Sequence, residues 1–116
     1  MSENYAEFDR EKLQFIEVAE ENEIGNGDRL FIEIDGISIV IFNIEGKFFA
    51  IADVCSHDNG PLGDGELDAA SCQVVCPRHG ARFDIRSGKA DTLPAVVDIP
   101  AYPVRVVNGK LEIGIP

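Results

Sequence analysis

After Leu13 the chain alternates apolar and polar positions with a period of two. Ile32 and Ile34 flank Glu33 and are followed by Asp35; Ile37, Ile39 and Ile41 then alternate with Ser38, Val40 and Phe42. This pattern predicts strands over residues 30–35 and 37–43. Asp35-Gly36 between them suits a type I′ hairpin turn, because both residues tolerate positive φ. Glu45-Gly46 turns the chain into a third strand over 47–52. Near the end, Asn108-Gly109 joins strands over 103–107 and 110–115, where Leu111, Ile113 and Ile115 alternate with Glu112 and Gly114. Ile and Val together number 23, in short runs bounded by Gly, Asn and Asp, a composition that favours pleated structure. No long segment repeats every 3.6 residues, and no internal repeat is visible. The expectation is an all-β fold, an antiparallel sandwich or small barrel of about eight short strands.

Length and charge narrow the picture. At 116 residues the chain suits one domain. The expected division is an acidic arm over 1–12, without visible chemistry, and a single domain over 13–116. Apolar residues make up 45%, enough to form a core rather than a disordered chain. No apolar run approaches the ~20 residues that span a bilayer, and residues 1–4 show no basic stretch leading into an apolar one. With three cysteines and no export signal, the expected compartment is the reducing cytoplasm. The net charge is −11, and residues 1–23 hold eight acids against two bases. Such a surface repels phosphates and anionic lipid, so neither nucleic acid nor membrane is an expected partner. It suits docking to a basic protein surface.

One region breaks the strand rhythm. Residues 53–61 and 76–80 concentrate Cys, His, Gly and Pro, each after a short apolar strand (48–52 and 73–75). They read Cys55-Ser56-His57 and Cys76-Pro77-Arg78-His79-Gly80, using both histidines of the chain, with 18 residues between the clips. Two such clips on loops that pack face to face can close on one metal centre. Two Cys and two His suit either tetrahedral zinc or a two-iron cluster with sulfur on one iron and imidazole on the other. Spacing alone does not separate these.

Cys55-Ser56-His57-Asp58 and Cys76-Pro77-Arg78-His79-Gly80-Ala81-Arg82-Phe83-Asp84 resemble the Rieske signature. The chain is similar in particular to the Rieske-type ferredoxins of bacterial ring-hydroxylating oxygenase systems. The likeness continues through Gly60-Pro61-Leu62, Asp64-Gly65-Glu66-Leu67, Ser87-Gly88-Lys89-Ala90, Tyr102-Pro103-Val104-Arg105-Val106 and Gly109-Lys110-Leu111. It covers residues 15–115.

The resemblance implies a Rieske-like β-sandwich or small barrel with a two-loop cluster-binding subdomain within residues 53–84. It implies a 2Fe–2S cluster as cofactor, with Cys55 and Cys76 on one iron and His57 and His79 on the other. A later proline-containing loop would cover the cluster, with Pro94 as the candidate. The implied role is a soluble one-electron carrier, not an enzyme in itself. It would take electrons from a flavin-dependent reductase and pass them to a non-haem iron oxygenase, or to another redox acceptor. A small regulatory or assembly-associated subunit, such as a nitrite-reductase-like small subunit or an iron–sulfur biogenesis protein, is the alternative.

Two departures from high-potential Rieske proteins bear on the potential. Their loop-joining disulfide would fall at Gly60 and Arg78, and their serine after the second His-Gly at Ala81. Both absences place the potential toward the bottom of the span of roughly −150 to +300 mV open to mixed Cys/His ligation. Cys72 is an extra cysteine, read as a small semi-buried residue in or before a strand. Arg78, Arg82, Arg86 and Lys89 read as a locally basic edge or a solvated strand face.

Overall fold

Tight two-residue turns organise most of the chain. In the computed structural model, which describes residues 13–56, 59–93 and 97–116, Asp35 and Gly36 both take positive φ (51° and 80°). They join β2 (Arg29–Ile34) to β3 (Ile37–Ile44) with Ile34 opposite Ile37. Glu45-Gly46 and Asn108-Gly109 adopt the same left-handed pair. The first links β3 to β4 (Lys47–Ala52); the second links β9 (Val104–Val107) to β10 (Lys110–Ile115). Right-twisted strands fit this turn geometry.

The remaining strands are β1 (Gln14–Glu20), β5 (Glu66–Asp68), β6 (Gln73–Val75), β7 (Arg82–Asp84) and β8 (Ala101–Tyr102). Ten strands are therefore present among the described residues, against the eight expected. Strands of two or three residues are too short to show alternation, so β5, β7 and β8 leave little trace in the apolar pattern. The strands form three antiparallel sheets, ordered β1-β10-β9, β2-β3-β4-β8 and β5-β6-β7. The all-β antiparallel expectation holds. Residues 1–12, the expected acidic arm, lie outside the described residues.

The four-stranded sheet is a shared wall. Ile39, Ile41, Ala50 and Ala52 face one core with Ile24, Leu111 and Ile113 from the β1-β10-β9 side. Val40, Phe42 and Ile51 face a second core with Cys55, Leu62, Val74, Cys76, Phe83 and Ile85. This explains why β3 reads Ile-Ser-Ile-Val-Ile-Phe-Asn-Ile: residues 39–43 are all buried, because both faces are covered. Full burial of a side chain such as Phe42 or Phe83 contributes about 1.5–3 kcal/mol. The second core is thus a small subdomain seated on a stiff base, and it carries both cysteine loops.

Candidate metal centre

The two clips sit in loops that are built alike. In the first, the Cys55 N–H donates to the Gly60 carbonyl (2.8 Å) and the Asn59 N–H donates back to the Cys55 carbonyl (2.7 Å). In the second, the Cys76 N–H donates to the Ala81 carbonyl (2.7 Å) and the Gly80 N–H to the Cys76 carbonyl (3.0 Å). Each cysteine therefore closes a six-residue loop through both of its backbone groups. The residue four places on is left-handed in both loops, Asn59 at φ 61° and Gly80 at φ 73°. Asn and Gly are the residues best suited to that conformation. The first loop follows the end of β4; the second joins β6 to β7.

Burial sorts the candidate ligands. Cys55 and Cys76 are 0% and 1% exposed and share one apolar core with Leu62. His79 is exposed. His57 and Asp58 lie outside the described residues, as does Pro94. The loops themselves touch: a Cβ placed on Gly60 would lie 2.7 Å from Nη2 of Arg78. These are the two positions where a loop-joining disulfide would fall, so here packing takes the place of a covalent link. Val97 is also tied to the first loop, because the Ser56 hydroxyl donates to its carbonyl.

Among the described residues, no three Cys, His, Asp or Glu side chains converge on one point. Cys55, Cys76 and His79 supply two thiols and an imidazole, a donor set that zinc also accepts. A two-iron centre asks less, one pair of ligands per metal. Two buried cysteines and an exposed histidine fit that donor set.

The segment behind the first loop is held by charge. Asp53 Oδ1 accepts the Leu62 and Gly63 N–H groups (2.9 and 2.6 Å). Arg29 Nη1 donates to the Gly63 carbonyl and to the Gly65 carbonyl, the latter at 2.6 Å. Neither residue stood out in the sequence. Their partners are backbone atoms, which carry no sequence signal.

Two of the four cations of the expected basic edge are paired within the subdomain. Arg82 pairs with Asp68 at 3.1 Å and donates to Gln73 at 3.2 Å. Arg86 pairs with Asp84 at 2.8 Å. The short hairpins bring each acid beside its arginine, a juxtaposition that strand reading alone did not reveal. Burial pushes the Asp84 carboxyl up, but the Arg86 hydrogen bonds outweigh it and hold the group below its ordinary value.

Cys72 lies immediately before β6, as expected, and is buried rather than semi-buried. Its left-handed φ of 57° was not foreseen. Burial raises its thiol pKa, which opposes formation of the thiolate a metal needs. Changing Cys72 to serine is expected to leave iron and sulfide content unaltered. Loss of iron in that variant, measured by colorimetric assay, would show that the ligands are misassigned.

An all-β base presenting two like-built Cys/His loops, sulfurs inward and imidazole outward, defines the class as a small iron–sulfur protein. Residues 14–103 match the family described as Rieske [2Fe-2S] domain, and the chain belongs to that family. Its cofactor is a Rieske-type 2Fe–2S cluster and its function is electron transfer. The chain is 38% identical over 94 residues to the 3-phenylpropionate/cinnamic acid dioxygenase ferredoxin subunit of Escherichia coli, covering 81% of this chain and 87% of that one. It is 31% identical over 101 residues to the ferredoxin component of the naphthalene 1,2-dioxygenase system of Pseudomonas putida, covering 87% and 95%. The ferredoxin of carbazole 1,9a-dioxygenase from Nocardioides aromaticivorans superposes with a TM-score of 0.81 at 29% identity, covering 85% and 95%.

Proposed function

We propose that this chain is the ferredoxin of a ring-hydroxylating oxygenase system, reduced by a flavin-dependent reductase and oxidised by a terminal non-haem iron oxygenase in the cytoplasm. Cys55 and Cys76 would hold one iron, and His57 and His79 the other. When bound, the cluster supplies a one-electron couple. The observation that carries the reading is the polarity of the site: both sulfurs are buried in one core while His79 is exposed. The exposed His79 marks the end that a partner can approach.

The residues of the chain do the rest. The matched loop hydrogen bonds hold Cys55 and Cys76 before any partner arrives, which limits the rearrangement that accompanies a change of charge. The subdomain core of Leu62, Val74 and Phe83 keeps water from the sulfur side. Leu93 and Val97 are 77% and 46% exposed, Val97 accepting the Ser56 hydroxyl beside the first clip, and Pro61 and Pro77, next to the clips in sequence, are exposed as well. Such an apolar rim desolvates cheaply when it is covered. Among the described residues no helix is long and apolar enough to cross a membrane.

The test is a stopped-flow experiment. Anaerobically purified protein, reduced with dithionite, is mixed with the oxidised terminal oxygenase of an aromatic dioxygenase system. Reoxidation of the ferredoxin within a turnover time of the oxygenase is the expected result. Reoxidation far slower than turnover, together with stable co-purification with a different redox enzyme, would overturn the assignment of partner.

A further inference from the structure

Residues 61–65, Pro-Leu-Gly-Asp-Gly, form no strand or helix, yet three walls meet on them. Leu62 is fully buried in the core that holds Cys55 and Cys76. A Cβ on Gly63 would lie 2.9 Å from both Phe31 and Val40 of the base sheet. A Cβ on Gly65 would lie 1.8 Å from the carbonyl oxygen of Val75, the residue before Cys76. The segment is the wedge between base and cluster subdomain.

Two charged side chains from the base sheet grip its backbone. Asp53, just past β4 and itself tied to the Ser38 carbonyl by its N–H (2.9 Å), takes the Leu62 and Gly63 N–H groups on one oxygen. Arg29, the first residue of β2, takes the Gly63 and Gly65 carbonyls on one nitrogen, with its guanidinium carbon 5.1 Å from the Phe42 ring centroid. Anion on the N–H side and cation on the carbonyl side make these bonds charge-assisted and roughly twice as strong as neutral ones. Elsewhere the fold ties a loop with a neutral amide: Asn43 bonds the Ile24 carbonyl (2.7 Å) and the Gly46 N–H (2.8 Å). Holding a loop does not by itself call for charge.

We propose that Arg29 and Asp53 are positioning residues for electron transfer, acting through the 61–65 wedge to seat Leu62 against the two cysteines and to tune the potential of the centre. The proposal rests on the cluster reading above. Asp53 takes the Leu62 and Gly63 N–H groups on its own oxygen. It also adds a negative charge, which opposes reduction. Arg29 adds a positive charge, which favours it. The two members therefore act with opposite sign.

The experiment uses the full-length, iron-loaded protein and protein-film voltammetry, with thermal unfolding and EPR alongside. Asp53→Asn keeps the acceptor oxygen and removes the charge; Arg29→Met removes charge and donor; Arg29→Lys keeps the charge. The expected result is a raised midpoint for Asp53→Asn, a lowered one for Arg29→Met, and a value close to wild type for Arg29→Lys. Each shift corresponds to roughly a three- to tenfold change in the equilibrium constant with a fixed redox mediator. A purely structural role would lower the unfolding temperature in all three and leave the midpoint where it was, and that result overturns the proposal. So do shifts of the same sign in Asp53→Asn and Arg29→Met. Should Arg29→Met fail to load iron, the rise in Asp53→Asn and the near-constancy in Arg29→Lys decide the matter by themselves. Wild-type protein without iron and labile sulfide would instead overturn the cluster reading, and the proposal with it.

Discussion

Serine at position 76 is expected to abolish iron and acid-labile sulfide binding while the base of the molecule stays folded. Cys76 is 1% exposed and lies among Leu62, Val74 and Phe83, so its sulfur is shielded from replacement by solvent. A hydroxyl does not ionise near neutral pH and is a poor iron ligand, whereas a thiolate is both charged and polarisable. The base core of Ile39, Ile41, Leu111 and Ile113 is a separate cluster on the other face of the sheet, which is why the β signal in circular dichroism should persist. Iron and sulfide assays on anaerobically prepared Cys76→Ser check the first half, and the far-ultraviolet spectrum checks the second. Full cluster content in the variant would remove Cys76 from the ligand set. The companion change His79→Cys should act differently. Two ferric ions, two sulfides and two thiolates cancel in charge, and neutral imidazoles keep that balance. A third thiolate makes the oxidised centre negative and its reduction harder, so a surviving cluster should fall in potential, toward the roughly −400 mV typical of all-cysteine plant-type centres.

What could be read ahead of the structure was whatever side chains encode. The two clips declare themselves by residue type and spacing, and the hairpins by their Asp-Gly and Asn-Gly turns. Even the double-faced burial of β3 was latent in the run Ile39-Val40-Ile41-Phe42, which has no polar face to give to water. What escaped was written in backbone atoms. Arg29 meets carbonyls 34 and 36 residues away, and nothing about an arginine at the start of a strand announces that. Asp53 looked like one more acid in a chain with 21 of them, yet it organises the turn behind the first loop. Arg82 and Arg86 looked like a basic edge because pairing across the short β5–β6–β7 sheet cannot be inferred from strands of three residues. Cys72 was read as semi-buried before a strand, which caught its place but not its conformation, since its left-handed φ is imposed by the loop, not chosen by a cysteine.

Gly65→Ala should cost the protein a large share of its stability. Its Cβ would stand 1.8 Å from the Val75 oxygen, 3.0 Å from the Val75 carbonyl carbon and 3.1 Å from the Leu62 oxygen. All three obstacles are backbone, so no rotamer change relieves the overlap. Movement must come from the turn, closed by the Gly65 N–H to the Leu62 carbonyl (3.0 Å), or from β6. Val75 is paired on both sides, with Glu66 and Arg82, so a shift of its carbonyl disturbs the whole three-stranded sheet and the cysteine that follows. Overpacking alone commonly costs about 1–3 kcal/mol. Here the sheet must yield too, so the expected loss is about 3 kcal/mol or more, read from chemical denaturation of the holoprotein. Iron content should fall in parallel, since the displaced strand leads directly into Cys76. Gly25→Ala is the control: its Cβ would meet the end of the Asp28 side chain at 3.0 Å, which can swing away, so the change should stay near 1 kcal/mol or below. A Gly65→Ala protein as stable and as iron-rich as the control would show that the wedge does not transmit strain to the second cysteine loop, and that the subdomain is held to its base by its apolar core alone.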